Sequence, residues 1–196
     1  MKLLYAGASP FVSKAAMAAQ HAGILVEHQA VDSTNEDPVL LEANPLGKIP
    51  ALVLDDGAVL YDSRVITRYF DRQSGGKLLP LGDPLLAERY EAHCDGIAEC
   101  AVAGQYERRF RPDEKVHQPW IDRQWAKVER GLDNMPGPLP EIGSKLGLAG
   151  IALGAMLGYL DLRYTDSWRG GRDSLVTWFD EFRSQHNDLA KLLPQA

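Results

Sequence analysis

Three short stretches near the start of the chain place ligand-binding residue types where a loop or strand gives way to the next element. The first is Ala8-Ser9-Pro10-Phe11-Val12-Ser13-Lys14. Ser followed by Pro marks a helix start, with Ser as N-cap and Pro at the first helical position. Free N–H groups and a partial positive charge at that point can hold an anion, a thiolate included. A plain cap also accounts for Ser9. The two roles are compatible, because a capping oxygen accepts while its hydroxyl proton stays free to donate. The second stretch is Asn44-Pro45-Leu46-Gly47-Lys48-Ile49-Pro50-Ala51-Leu52. Pro50 directly precedes a strand, a position where no ladder donor is needed. A cis bond at Ile49-Pro50 would turn the Ile49 backbone outward as a free strand edge, to which a peptide-like ligand can pair. The third is Leu60-Tyr61-Asp62-Ser63-Arg64, where a strand ends and a capped helix begins. Its free N–H groups suit a carboxylate, and an ordinary N-cap explains it as well.

These stretches need a scaffold that alternates strand and helix, and the first part of the chain supplies one. Lys2–Ala6 reads as a strand, a helix runs from the Ser9 cap to about His21, and Gly23 stops it. Ile24–Gln29 reads as a second strand, 32–37 as loop, and Pro38–Ala43 as a short helix. Ala51–Leu54 and Ala58–Leu60 form a hairpin across Asp55-Asp56-Gly57, and a helix follows from Arg64 to about Gln73. The order β-α-β-α-β-β-α predicts a small mixed sheet with helices on its faces. Residues 77–83 read as a linker between a domain at 1–76 and a second at 84–196. The second is predicted to be all α. Asp83-Pro84 caps a helix with the apolar stripe Tyr90, Cys94, Ile97, Ala98 and Ala101. Another helix spans about Gln118 to Asn134, and Leu175, Trp178, Phe179 and Phe182 form a later stripe. Leu146–Leu160 carries no charge. It is shorter than the roughly 20 residues of a membrane span, so it reads as the central buried helix. Gly150, Gly154 and Gly158 on it predict close helix packing.

Composition removes several functions. The formal net charge is −6 over 196 residues, which argues against a nucleic-acid partner. Two cysteines, Cys94 and Cys100, form neither a CxxC nor a disulfide framework and suit a reducing cytoplasm. Met1–Gly7 is too short an apolar run for a signal peptide, so a cytoplasmic protein without membrane attachment is expected. His21, His28, His93, His117 and His186 are scattered, and no metal site is expected. Arg108, Arg109 and Arg111 read as a solvated helix end.

In this order and spacing the three stretches resemble the glutathione transferase superfamily, above all small bacterial members with S-P-F-V-x-K in the first loop. The resemblance runs through the whole chain, including Ala149–Gly154 and Gly158–Arg163. It implies a thioredoxin-like domain followed by an all-helical one. It implies that Ser9 hydrogen-bonds the glutathione sulfur, that Ile49, before a cis Pro50, holds the cysteinyl backbone, and that Asp62 and Ser63 bind the γ-glutamyl end. Lys48 and Asn35 fall where the family contacts the glycyl end, and Phe11 lines the neighbouring second-substrate pocket. The implied activity is addition of the glutathione thiolate to a small electrophile by a homodimer, with glutathione as co-substrate and no other cofactor. Some branches use a Tyr near Tyr5 as sulfur ligand; here Tyr5 precedes the loop by four residues and reads as packing.

Two departures stand out. Asp62 replaces the usual Glu, which shortens the reach toward the γ-glutamyl amine. Gly147-Leu148-Ala149-Gly150 stands where the family has a Ser/Thr-x-x-Asp capping box, so other groups must satisfy the N–H groups at that helix start. These departures keep a second reading open, a non-catalytic binding protein on the same fold. A thiol–disulfide oxidoreductase is disfavoured, because Ser9-Pro10-Phe11-Val12 has no Cys.

Overall fold

A computed structural model describes residues 1–79 and 83–196. The chain begins with β1 (Lys2–Tyr5), α1 (Pro10–Ala22), β2 (Glu27–Ala30), α2 (Pro38–Ala43), β3 (Ala51–Val53), β4 (Val59–Leu60) and α3 (Ser63–Gln73). The four strands form one sheet in the order β2-β1-β3-β4. β2 runs parallel to β1, while β3 is antiparallel to β1 and β4 to β3. This is the predicted mixed sheet. The second strand starts three residues later than its apolar pattern suggests. The cause is the end of α1: Gly23 adopts φ 76, and Ile24 N–H still donates to the Ala19 carbonyl.

The remainder is helical: α4 (Pro84–Phe110), α5 (Gln118–Asp133), α6 (Leu148–Trp168), α7 (Asp173–Gln185) and α8 (Asn187–Ala190). Three of the expected caps are present, Ser9, Asp62 and Asp83, each accepting a backbone N–H of the first turn. The expected linker 77–83 runs through residues 80–82, which lie outside the described residues. Its first part is pinned. Leu78 is fully buried, and Asp71 accepts the N–H groups of Leu78 and Leu79 at 2.8 and 2.9 Å.

α6 is the centre of the helical part, as its charge-free run predicts, but it continues beyond Leu160, across a kink at Tyr164, to a fully buried Trp168. Gly147 gives it no side-chain cap. The Leu78 carbonyl takes that place in part, accepting Leu148 N–H at 2.8 Å. A Cβ at Gly154 would stand 2.9 Å from the Phe182 ring, so the glycine spacing is what lets α7 approach. None of the described helices is long and apolar enough to cross a membrane.

The far end of α1 meets the helical part through His21. Burial lowers its pKa from 6.5, and the positive charges of His186 and Lys77 add to this, against an opposing hydrogen bond with the Leu146 backbone. Burial lowers His186 also, and its Nε2 accepts Gly143 N–H at 3.2 Å. Both rings therefore take up protons more readily in the unfolded chain. Their contribution to stability is complete above about pH 6.5 and is lost as pH falls below it. The expected result is a thermal midpoint that drops between pH 7 and 5, and drops less in His21→Gln.

Candidate active site

Strand register brings the three stretches to one end of the sheet. Leu4 near the end of β1 pairs with Ala51 at the start of β3, and Leu52 pairs with Leu60 at the end of β4. The loop carrying Ser9, the Ile49-Pro50 corner and the Asp62-Ser63 helix start therefore lie side by side.

Ser9 caps α1. Its Oγ accepts Val12 N–H at 3.3 Å, and its backbone N–H donates to the Ala6 carbonyl at 3.1 Å, closing a tight turn. Among the described residues its hydroxyl donates to no protein group, so the proton is free for a ligand. Phe11 is half-buried in the first turn of the same helix.

The Ile49-Pro50 peptide is cis, as is Tyr61-Asp62. Pro50 is buried and Ile49 half-buried. Asn44, 1% exposed, organises this corner. Its amide donates to the Lys48 carbonyl at 2.8 Å, and its Oδ1 accepts Leu46 N–H at 3.1 Å. Sequence reading quoted Asn44 without giving it this role. Asn44→Ala leaves both backbone groups unpaired, so a loss of about 1–3 kcal/mol is expected on thermal denaturation. Asn44→Asp keeps the acceptor but sets a carboxylate oxygen against the Lys48 carbonyl in a buried place, so it should lose at least as much.

Asp62 is exposed and caps α3, accepting Arg64 N–H at 3.0 Å, with Ser63 buried beside it at the first helical position. Lys48 is exposed at the rim. The Asn35 amide is engaged within its own exposed loop, donating to Asp32 at 2.6 Å. Hydrogen bonds from the Thr34 hydroxyl, the Asn35 amide and the Thr34 N–H push the Asp32 carboxyl down to about 2. Tyr5 packs against His28, with ring centroids 5.6 Å apart. Arg108 bonds Gln118, Arg109 lies over the Phe110 ring and Arg111 pairs with Glu107, so all three find partners within the helical part.

Directly beneath the site lies an ionic cluster that sequence reading missed. Lys14, 1% exposed, donates to Glu91 at 2.9 Å and to both oxygens of Asp95 at 2.8 and 2.7 Å. Arg64 reaches Asp95 at 2.8 Å, Arg68 reaches Glu91 at 2.9 Å, and Thr67 donates to Glu91 at 3.0 Å. Asp95 also holds the Arg64 guanidinium more firmly in its charged form. The cluster joins the helix capped by Ser9 and the helix capped by Asp62 to α4. A signal was present: Lys14 is the only acid or base in an otherwise apolar stretch of α1, and Glu91 and Asp95 stand four apart beside an apolar stripe.

Neither cysteine stands on the three stretches. Burial pushes Cys94 far above its ordinary pKa and raises Cys100 as well. No group of three or more metal-ligating side chains occurs among the described residues. The arrangement offers a hydroxyl donor at a helix N-terminus, an extended backbone corner and a second helix N-terminus in one row. Chemically this suits a small peptide with a free carboxylate and an anionic side chain.

Comparison with known proteins agrees. Residues 8–73 match the family model for the glutathione S-transferase N-terminal domain. The chain is 31% identical to the uncharacterized GST-like protein YibF of Escherichia coli, over all of both chains. It is similar to a glutathione S-transferase from Methylobacillus flagellatus, solved with glutathione bound, at TM-score 0.88 and 36% identity over 99% of each chain. It is also similar to a glutathione transferase family member from Pseudomonas fluorescens with bound glutathione, at TM-score 0.90 and 35% identity over 100% of this chain and 99% of that one. A thioredoxin-like sheet with an all-helical partner, three strand-to-helix stretches gathered at one end of that sheet and likeness over the whole length place this chain in the glutathione S-transferase superfamily.

Proposed function

We propose that this protein is a glutathione transferase that holds glutathione along the row formed by Ser9, Ile49 and Asp62-Ser63 and adds its thiolate to a small electrophile. The observation that carries the reading is Ser9: a hydroxyl with a free proton at the N-terminus of α1, beside a backbone corner suited to a cysteinyl group. Free thiols have a pKa of about 8.5, and lowering it by two units takes about 2.7 kcal/mol. A hydrogen bond from Ser9 to the charged sulfur contributes about 1.5–3 kcal/mol. The helix N-terminus adds about 0.3–1 kcal/mol. Together these give about 1.8–4 kcal/mol, a range that spans the requirement without a metal or a general base. In the same reading Ile49 pairs with the cysteinyl backbone, Asp62 and Ser63 take the γ-glutamyl end, Lys48 and Asn35 face the glycyl end, and Phe11 borders the electrophile. Asn35 would have to exchange its bond to Asp32 for one to the ligand. Glutathione bound in the two similar bacterial proteins supports the ligand.

Titration calorimetry with glutathione, followed by turnover with a panel of aryl halides, epoxides and enals, tests the proposal. Binding with thiolate formation and conjugation of at least one class is expected. Binding without a thiolate band or any turnover would favour a non-catalytic binding protein. Within the same reading the protein acts in the cytoplasm as a two-fold homodimer. Sedimentation at micromolar concentration should then give about twice the 21.6 kDa chain mass.

A further inference from the structure

After α8 the chain turns back and lies against the loop between β1 and α1. The backbone N–H of Gln195 donates to the Gly7 carbonyl at 2.9 Å. The Ser13 hydroxyl donates to the Leu192 carbonyl at 2.6 Å. Between these two bonds Pro194 is buried. The seat is shaped by α6: a Cβ at Gly158 would stand 2.9 Å from Leu193 Cδ2 and 3.0 Å from Pro194 Cδ. Glycine at 158 therefore admits the segment, as glycine at 154 admits Phe182. At the loop, a Cβ at Gly7 would come 3.4 Å from the Gln195 carbonyl oxygen.

The place where this segment lands is significant. Gly7 lies inside the tight turn that Ser9 N–H closes onto the Ala6 carbonyl. A four-residue turn that is exposed at Gly7 and held by one hydrogen bond opens easily. A second bond from outside the turn restricts it. Ser13, one helical turn beyond Ser9, anchors the same segment to the body of α1.

We propose that residues 192–195 form a strap that positions Ser9, with the Gln195 N–H and the Ser13 hydroxyl holding the Ala6–Ser9 turn in the geometry its hydroxyl needs. Neither residue is placed against the ligand; both act through the turn. The consequence for chemistry rests on the functional reading above, since a misdirected hydroxyl matters only if it must meet a sulfur.

A pair of variants isolates the bond. Gln195→Pro removes the backbone N–H, whereas Gln195→Ala keeps it. Both lose the side-chain bond to the Lys191 carbonyl, so alanine is the matched control. The first readout uses no ligand. Amide exchange over residues 6–9 should be about 3–10-fold faster in Gln195→Pro than in Gln195→Ala, the opening expected from loss of one backbone hydrogen bond. Equal exchange overturns the strap whatever the protein's function. The second readout is the thiol of bound glutathione. Its apparent pKa should rise by about 0.5–1 unit in Gln195→Pro only. With it kcat should fall about 3–10-fold, at a glutathione KM within about twofold. Ser13→Ala should move both readouts in the same direction, and circular dichroism checks that each variant is folded. A merely structural strap would lower the thermal midpoint and leave the thiol titration unmoved, which would overturn the proposal. Ser9→Ala in the same series separates the two ideas. If Ser9→Ala shifts the thiol titration and Gln195→Pro does not, the strap alone fails. If neither does, the functional reading fails with it.

Discussion

Lys14→Ala is expected to lower stability by about 3–5 kcal/mol, the range seen when one partner of a buried ion pair is removed. Lys14 is 1% exposed and donates three hydrogen bonds, to Glu91 and to both oxygens of Asp95. Without it those carboxylates stay buried and lose their inner cation. Arg64 and Arg68 remain, but they approach from the outer side, with side chains 44% and 23% exposed. Asp95 Oδ1 then has no other donor among the described residues, since Arg64 bonds Oδ2, and that uncompensated atom is the origin of the loss. For a chain of this size each kcal/mol corresponds to about 2–4 °C in melting temperature, so a fall of about 6–20 °C is expected. Lys14→Met keeps most of the volume and removes the charge. It should be destabilised to a similar degree, because the loss comes from the orphaned carboxylates rather than from a cavity. A change below about 1 kcal/mol, the value of a solvated surface pair, would show that water reaches the cluster.

Ser9→Ala is expected to raise the pKa of the bound glutathione thiol by about one to two units, since a hydrogen bond to a charged sulfur is worth about 1.5–3 kcal/mol. The loss of the cap should reduce stability by only about 0.5–2 kcal/mol. Turnover should fall more than affinity, because contacts through Ile49, Asp62 and Ser63 remain while thiolate stabilisation goes. The check is thiolate absorbance of the protein–glutathione complex against pH for both proteins. Coinciding curves would reduce Ser9 to a helix cap. Tyr5 would be the next residue to replace, despite its ring lying against His28.

How far these features could be read from sequence follows from how local they are. Ser9-Pro10, Asp62-Ser63 and Asp83-Pro84 cap helices through bonds spanning two or three residues, and each is legible in a short window. The Ile49-Pro50 corner was legible from Pro at a strand start. The members of the ionic cluster stand out singly, but their pairing does not, because it joins Lys14 to residues 77 and 81 positions away and no local pattern specifies that. The Gly7–Gln195 bond was less visible still. Its donor and acceptor are backbone atoms, which every residue but proline carries alike. Gly147 and Gly150 suggested a weakened start to α6; the sequence could not indicate that the Leu78 carbonyl would reach Leu148 N–H.

That last contact bears on whether the two halves of the molecule can be treated as interchangeable modules. Asp71 on α3 holds the Leu78 and Leu79 N–H groups, and the Leu78 carbonyl in turn starts α6. The connecting segment is thus a structural part of both halves. A chimera that joins this sheet to a relative's helical half at residue 77 would replace the residue that caps α6. It would also set Lys14 against whatever stands at the positions of Glu91 and Asp95. A breakpoint after residue 95, which keeps 1–95 as one block, preserves every one of these contacts except the bond to Leu148, and that bond needs only a backbone N–H in the right place.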